Sequence, residues 1–385
     1  MLIGQFCETY PPFLDGVGRV MLAYCETLTQ MGHRSLYVAP RNPHFSYEYP
    51  GEALLYAGVP IHRQVYRFGL PWISRSFWRA AKRMPFDVVH IHAPFLAGLA
   101  AQKLAKKQGV PVIGSFHSKY YDDFYRATGS RLLAGVGMSV VMRFFRGCDE
   151  VWAVNHRTAD VLRSYGFQGE IIIMPNGTNP LAVSNEERVE VFGQFPLREG
   201  VPALIFAGQL DFKKNVNSVL QACALLRDRG MDFQLIMAGG GANADELKQL
   251  AGRLGMTDRV IFTGFITHRP TLLALLERAD LLVFPSLYDS APMVVREAAA
   301  LGTPSLLVED SCSAEGIVHN ENGFLCQNTA ENIADAVFDA LPLCSGVGER
   351  ARASIPIPWA QIVEKAMDRY EDLIVRTSGG VRRHP

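Results

Sequence analysis

The sequence predicts an α/β protein of two doubly wound domains, each with a parallel sheet covered by helices. Three observations support this prediction. The 385 residues are many for one domain and sufficient for two that each bury a core. Short β-branched segments alternate with helical stretches along the chain, which is typical of parallel sheets. A stretch dense in turn formers, residues 175–180, separates two such series.

The predicted strands are short apolar segments bounded by polar or turn-forming residues. In the first series they are expected at residues 2–7, 35–40, 87–93, 111–117, 150–155 and 171–175, and in the second at 203–210, 233–239, 260–265, 281–285 and 305–308. Helices lie between them, for example over residues 102–108 and 245–254. We therefore expect domains at residues 1–179 and 180–358, facing each other across a deep cleft. The carboxyl ends of the strands would line that cleft, where open α/β sheets bind ligands.

Composition narrows the class of protein. Apolar residues make up 48% of the chain and charged residues 20%, as in globular proteins. No apolar segment reaches the roughly 20 residues that span a bilayer, because the best candidate, residues 132–142, ends at Arg143. The seven cysteines are widely spaced and form no CxxC pair, so we expect a cytoplasmic location and no metal site. We expect residues 377–385 to be disordered.

Charge is distributed unevenly between the two halves. The first 183 residues contain 19 Lys and Arg against 12 Asp and Glu, a net charge of about +7, which leaves about −7 for the remainder. This basic half favours contact with an anionic membrane or a phosphorylated ligand, since no nucleic-acid-binding motif is present. Residues 72–83 combine aromatic side chains with four basic ones and could lie on the inner face of the cell membrane. The alternative is an ordinary amphipathic helix whose aromatic side chains pack into the domain.

The most informative segment joins a strand that ends at Pro285 to a helix that begins near Pro292, with Ser290 as a candidate cap. Asp289 would then lie on the loop and Glu297 in the helix. Two carboxylates in one cleft suit sugar and ribose hydroxyls, and the free N–H groups of the helix start suit anionic ligands. The alternative is a capping aspartate and a solvated surface glutamate.

Three further segments follow predicted strands. Gly208 and the nearby Lys214 could admit and neutralise a diphosphate, or could belong to a solvated loop. Gly16 and Gly18 could present N–H groups to phosphate, or could form a plain tight turn. Without a third glycine, this segment argues against a dinucleotide site and thus against a nicotinamide dehydrogenase.

A histidine pattern accompanies the central strands of the first domain. His117 ends a predicted strand, where it could donate a hydrogen bond to a sugar or phosphate, or could be a core histidine. His90 and His92 alternate with apolar residues on another strand and have no evident third metal ligand. We therefore predict that this pair is structural.

Together these segments resemble the retaining glycosyltransferases of family 4, which have the GT-B fold of two facing Rossmann-like domains. The resemblance extends over residues 1–375 and includes the motifs at residues 15–17, 87–92, 148–151 and 175–177. It implies that the final helix, residues 359–374, packs back on the first domain. The segments that contain His92 and His117 are also similar to those of diacylglycerol glucosyltransferases.

The resemblance assigns roles to individual positions. It implies catalytic roles for His117, Asp289 and Lys214. It implies donor binding by Gly16, Val17, Gly18, Gly208, Gln209, Lys214, Phe265, Ile266, Ser290, Ala291, Met293, Val294 and Glu297. Two positions depart from the family pattern, because Asp289 stands where a glutamate is expected and Gln209 where many members have arginine.

The implied reaction transfers a hexose from a nucleoside diphosphate sugar, with UDP favoured over GDP, to a lipid, lipid-linked or glycan acceptor. It proceeds with retention, through front-face displacement, and uses no cofactor or metal. Two other readings remain open from the sequence. A sugar-nucleotide epimerase would share the architecture, and a protein that binds sugar nucleotides without catalysis would fit the departures at Asp289 and Gln209.

Overall fold

The computed structural model describes residues 1–11, 15–42, 49–60 and 67–378. They form two compact units, one of Met1–Gly177 with the C-terminal segment from Trp359, the other of Thr178–Pro358. The division falls two residues before the expected position, because the Thr178 N–H donates to the carbonyl of Ile357 at 2.7 Å within the second unit. Both units are Rossmann-like, as the sequence predicted.

Unit 1 consists of a parallel sheet with helices on both faces. Its strands are β1 (Leu2–Phe6), β2 (Arg34–Pro40), β3 (Glu52–Tyr56), β4 (Gly58–Pro60), β5 (Arg67–Gly69), β6 (Val88–Ile91), β7 (Val112–Phe116), β8 (Glu150–Ala153) and β9 (Ile171–Ile173). Its helices are α1 (Gly16–Gln30), α2 (Arg75–Ala81), α3 (Leu96–Gln108), α4 (Tyr120–Thr128), α5 (Arg131–Arg146), α6 (His156–Ser164) and the C-terminal α14 (Trp359–Ser378). The sheet order is β3-β2-β1-β6-β7-β8-β9, while β4 and β5 form a separate antiparallel pair.

Unit 2 repeats the architecture with six strands in the order β12-β11-β10-β13-β14-β15. The strands are β10 (Ala203–Ala207), β11 (Gln234–Ala238), β12 (Val260–Gly264), β13 (Leu281–Phe284), β14 (Ser305–Val308) and β15 (Phe324–Cys326). The helices are α7 (Asn185–Gln194), α8 (Val216–Asp228), α9 (Ala244–Arg253), α10 (Arg269–Arg278), α11 (Met293–Leu301), α12 (Ala330–Ala340) and α13 (Cys344–Ser354). Strand order reverses between β10 and β13, and at such a switch point a crevice opens beyond the carboxyl ends of the strands.

The C-terminal helix α14 packs on unit 1 through a buried carboxylate. Glu150, at the start of β8, pairs with Arg369 and with Arg376 at 3.0 Å, and accepts a hydrogen bond from the Trp152 indole at 2.9 Å. Burying a carboxylate is costly unless cations and donors surround it, and α14 supplies the two guanidinium groups. The helix continues to Ser378, past its expected end at 374, so residues 377 and 378 are helical instead of disordered. Residues 379–385 lie outside the described residues.

Several elements differ from the sequence prediction. The strands β3, β4, β5 and β15 were not predicted; β3 begins with exposed residues at a sheet edge and the others have only three residues each. Helix α3 begins at Leu96, earlier than expected. Within the described ranges, no helix is both long and apolar enough to cross a membrane.

Candidate active site

The switch point of unit 2 brings together two residues that are 75 positions apart. Lys214 ends a short 3₁₀ helix (Phe212–Lys214) that follows β10, and Asp289 lies on the loop that follows β13. The Lys214 Nζ donates to Asp289 Oδ1 at 2.7 Å, and the two side chains are only 12% and 17% exposed. A cation and a carboxylate thus lie together at the edge where this fold binds ligands.

The loop after β13 holds Asp289 in place. The Ser286 hydroxyl donates to Asp289 Oδ2 at 2.5 Å and accepts from the Asp289 N–H at 3.3 Å. Ser313 donates to the backbone carbonyl of Asp289 at 3.0 Å. Both carboxylate oxygens therefore have partners within the chain, and the carboxylate is oriented before any ligand binds.

Helix α11 begins beside this loop. Pro292 occupies the N-cap position and makes no side-chain capping bond, so the expectation that Ser290 caps the helix is wrong. Proline cannot donate from its nitrogen, and the first-turn amides begin at Met293 and Val294. A helix start without a side-chain cap leaves its partial positive charge available to an anion. Ala291 lies in the same loop, partly buried.

Glu297 lies in the second turn of α11 and is only 3% exposed, which excludes the alternative of a solvated surface glutamate. Its partner is Arg269, the first residue of α10, whose Nη2 donates to Glu297 Oε1 at 2.7 Å. Arg269 belongs to no motif that is recognisable from the sequence, so this contact was not predicted. A buried carboxylate needs such a cation because unpaired burial would be strongly destabilising.

The glycine segment after β10 is in close contact with the loop after β11. Gly208 has φ 155°, and a Cβ on Gly239 would approach the Gly208 carbonyl oxygen to 2.0 Å. Gln209 lies between this contact and Leu210, whose N–H donates to the carbonyl of Gly240 at 3.0 Å. The three glycines after β11, residues 239–241, allow this close backbone contact, and they were not predicted from the sequence as part of the site.

The residues expected at the nucleotide base follow β12. Phe265 is 52% exposed, whereas Ile266 is partly buried against the core of unit 2. They lie on the loop that leads to Arg269, the first residue of α10, so they are close in sequence to the Arg269–Glu297 ion pair.

The glycine motif of unit 1 differs from the expected loop. Gly16 opens α1, so the segment is the first helical turn; residues 12–14 lie outside the described residues. The N-cap is Asp15, whose carboxylate accepts from the Gly18 N–H at 2.7 Å. Burial raises the pKa of Asp15 above its usual range. The Gly18 amide is thereby used within the chain, while Val17 packs partly buried against the small core cluster beneath α1.

His117 follows β7 and belongs to a buried chain of hydrogen bonds. His92 Nε2 lies 2.8 Å from Gln5 Oε1, and His92 Nδ1 lies 3.2 Å from His117 Nε2. An amide oxygen only accepts, so neutral His92 is protonated at Nε2 and His117 must donate from its own Nε2. Nδ1 of His117 is then unprotonated and can only accept a hydrogen bond, whereas the sequence led us to expect that His117 donates one.

His90 completes the cluster on the side of α14. Its Nδ1 lies 2.8 Å from the Tyr370 hydroxyl and its Nε2 lies 2.7 Å from the Ser115 hydroxyl. Burial lowers the pKa of His117 to about 4, and it lowers the pKa values of His90 and His92 well below their usual range. All three imidazoles are therefore neutral near pH 7.

Because these three histidines are buried and neutral, we predict that the stability of unit 1 falls as the pH is lowered. A histidine with a lowered folded pKa binds fewer protons than in the unfolded chain, so its stabilising contribution is present above pH 6.5 and is lost as pH falls towards 4. We expect the unfolding temperature of the wild type to fall over this window, and that of His117→Gln to fall less steeply. Thermal unfolding followed by circular dichroism at several pH values measures both. The difference between the two profiles removes the contribution of carboxyls such as Glu8, whose raised pKa of about 7 acts in the opposite sense. Parallel profiles would contradict the prediction.

Two surface regions of unit 1 present apolar side chains beside basic ones. In residues 72–83, Trp72 and Ile73 are 41% and 68% exposed, but Phe77 is buried in the core. Helix α5 exposes a row of four apolar residues, Leu132 (78%), Leu133 (54%), Val136 (58%) and Val140 (48%). Helices α2, α3 and α5 contribute to one core cluster, so both regions belong to the same helical layer.

Two Rossmann-like units in one chain are the fold of GT-B glycosyltransferases. A model described as "Glycosyltransferase Family 4" matches residues 14–180, and one described as "Glycosyl transferases group 1" matches residues 187–344. The chain therefore belongs to the GT-B glycosyltransferases, and the prediction of a glycosyltransferase enzyme is confirmed.

Individual relatives agree with this assignment. The chain is 25% identical over 311 residues to the alpha-monoglucosyldiacylglycerol synthase of Streptococcus pneumoniae, covering 79% of this chain and 70% of that protein. Among solved structures, sucrose-phosphate synthase of Thermosynechococcus elongatus has a TM-score of 0.80 at 18% identity, covering 97% of this chain and 99% of the other. HepE of Anabaena in complex with UDP-glucose has a TM-score of 0.79 at 15% identity, covering 97% and 100%. These structural similarities concern the fold.

Proposed function

We propose that the protein transfers a hexose, with retention at the anomeric carbon, from a nucleoside diphosphate hexose to a lipid or lipid-linked acceptor. The observation that carries the proposal is the Lys214–Asp289 pair at the switch point of unit 2, beside the start of α11. A cation next to free helix amides suits a diphosphate, and a fixed carboxylate suits sugar hydroxyls. Glu297, buried one turn further along α11, is the proposed acceptor for ribose hydroxyls.

The proposed donor is a UDP-hexose, with a GDP-hexose as the second candidate. The amides of Met293 and Val294 and the ammonium group of Lys214 together would offset the diphosphate charge. Gln209 adds no charge where many relatives of this kind have arginine. The fold neighbour HepE was solved with UDP-glucose, which makes UDP-glucose the first donor to test.

The proposed mechanism is a front-face displacement in which the leaving diphosphate deprotonates the acceptor hydroxyl. Catalysis would then depend on stabilising negative charge as the bond to the diphosphate breaks, which is the role of Lys214 and the α11 amides. Asp289 would orient the sugar. We propose that His117 accepts a hydrogen bond from a sugar hydroxyl through Nδ1, as its bond to His92 requires. In this mechanism the sugar donor and the acceptor are the only reactants.

The experiment that tests this function is a donor screen followed by a turnover assay. We expect UDP-glucose to raise the unfolding temperature of the purified protein more than ADP-glucose does. Incubation with UDP-[¹⁴C]glucose and a lipid extract should then yield a labelled lipid whose linkage has the anomeric configuration of the donor. An inverted linkage would exclude retention, and the absence of stabilisation by any UDP- or GDP-sugar would contradict the donor assignment.

A lipid acceptor requires access to a membrane surface. We propose that the protein binds the membrane peripherally, through unit 1. The named relative from Streptococcus pneumoniae is a synthase of a glycolipid. On α5, exposed Leu132 and Val136 lie on a helix with exposed Arg131 and Arg143. Apolar side chains within a basic surface suit the interface of an anionic bilayer. Trp72 and Ile73, which are also exposed on unit 1, are a second candidate for this contact.

We predict that the double variant Leu132→Glu/Val136→Glu binds anionic vesicles about tenfold more weakly than the wild type. The variant loses apolar side chains that would insert into the bilayer, and its two new carboxylates are repelled by the anionic lipids. Flotation with phosphatidylglycerol vesicles measures the bound fraction. Val189→Glu, which places a charge at a 75% exposed valine of unit 2, is the matched control and should bind like the wild type. Equal flotation of the double variant and the wild type would exclude α5 as the contact, and Ile73→Glu then tests residues 72–83 separately.

A further inference from the structure

The ion pair between Arg269 and Glu297 has a feature that the proposed donor site does not explain. Arg269 Nη2 donates to Glu297 Oε1 at 2.7 Å. The second terminal nitrogen, Nη1, is buried yet has no hydrogen-bond partner among the described residues. A guanidinium nitrogen held away from water without an acceptor loses free energy, so the fork is completed only when an acceptor atom from elsewhere reaches it.

The position of Arg269 indicates which part of a ligand could reach it. Asp289, the partner of Lys214, lies on the loop that precedes α11. Glu297 is four residues into that helix, about 6 Å along its axis from the first residue. Arg269 follows the loop after β12, whose Phe265 is exposed. A ligand with its diphosphate at Lys214 would therefore meet Arg269 with the part that lies beyond the phosphates.

The chemistry of the pair agrees with a neutral polar group, not with a further phosphate. Arg269 already neutralises Glu297, and the Glu297 side chain is only 4% exposed, so the pair contributes little net positive charge to the surroundings. What remains is the buried Nη1, whose two N–H donors have fixed directions in the planar fork. Such a donor recognises a hydroxyl or carbonyl oxygen at a defined place, as a ribose or a pyrimidine base provides.

We propose that Arg269 is a nucleoside-recognition residue of the donor site, which orients Glu297 through Nη2 and donates from Nη1 to an oxygen of the bound nucleoside. This inference rests on the proposed function. It adds a specificity determinant on α10 to a site otherwise formed by the segments after β10 and β13. A lysine at this position can pair with Glu297 but cannot provide the second directed N–H.

The test compares Arg269→Lys and Arg269→Gln with the wild type, using UDP and inorganic pyrophosphate as ligands in isothermal titration calorimetry. We expect both variants to weaken UDP binding by about 10–100-fold, the range for a lost hydrogen bond from a charged group, and to leave pyrophosphate binding within about twofold. The donor KM should rise while kcat changes little, because the contact is made equally in the ground and transition states. Arg269→Lys should keep the unfolding temperature of the wild type, which separates recognition from a structural role.

The control is Arg229→Gln, which breaks an Arg–Asp ion pair on the surface of the same unit, at Asp335, and should bind UDP normally. UDP binding by Arg269→Lys that equals the wild type would overturn the proposal. Loss of UDP and pyrophosphate binding alike would also overturn it, because Arg269 would then support the site as a whole. Failure of the wild-type protein to bind any nucleoside diphosphate would instead contradict the proposed function.

Discussion

Replacing Lys214 by alanine is expected to lower kcat/KM for the sugar donor by about 10³-fold, in the range found when a preorganised charge-stabilising group is removed. The Lys214 ammonium group is the cation of the switch point, 2.7 Å from Asp289 and 12% exposed. Its removal takes away the charge that we propose stabilises the leaving diphosphate. It also leaves Asp289 uncompensated, so a carboxylate would repel the diphosphate from the same place. Steady-state rates with UDP-glucose measure the effect.

The adjacent lysine provides the control for this prediction. Lys213 lies over the Tyr288 ring, with its Nζ 4.4 Å from the ring centroid. Lys213→Ala removes an equal charge one residue away and is expected to retain activity within about threefold, because the proposed role depends on the position of Lys214 beside Asp289. Similar losses in the two variants would mean that general electrostatic attraction, and not the position of Lys214, governs donor use.

Replacing Glu297 by glutamine is expected to lower kcat/KM by about 10²-fold, mainly through a higher donor KM. The amide has nearly the same shape but loses the charge that accepts ribose hydroxyls strongly. It also removes the counter-ion of Arg269, whose side chain is 37% exposed, and thereby breaks an ion pair that helps to hold α10 and α11 together. Donor titration and thermal unfolding of the same preparation measure the two effects separately.

Glu277→Gln is the matched control, because Glu277 forms a two-bond ion pair with Arg188 in the same unit. Helix α10 carries Arg269 at its first residue and Glu277 near its end, so both variants disturb an ion pair of this helix. We expect a comparable loss of stability in Glu277→Gln with normal donor KM. An unchanged KM in Glu297→Gln would remove the ribose role from Glu297.

The departures from the family pattern now have a structural context. Asp289 is one methylene shorter than the expected glutamate, and it lies where Lys214 and Ser286 hold both its oxygens. A sugar must therefore displace or share these contacts, which a longer side chain could avoid. Together with the uncharged Gln209, this favours a donor preference set by hydrogen bonding more than by charge.

Periodicity and turn chemistry predicted most of the fold. Buried parallel strands are continuous apolar segments, so β1, β2, β6, β10 and β14 were recognisable from sequence. Short edge strands such as β15 were not, because three residues carry too little pattern and pair only where a neighbouring strand is already present. The ends of α9 were predicted to within one residue, whereas α3 begins six residues before its expected start and α14 ends four residues after its expected end.

The sequence alone determined the class of the protein, because a glycosyltransferase of this fold places its motifs after particular strands and their order is written in the chain. It also singled out Lys214, Asp289, Glu297 and His117 as chemistry-bearing residues at strand ends and in the helix that follows. Only the tertiary structure decided their partners. Arg269 and Glu297 are 28 positions apart, and Gln5, His92 and His117 come from three strands or strand ends. Such contacts depend on which strands are neighbours in the sheet, and local propensity carries no information about that order.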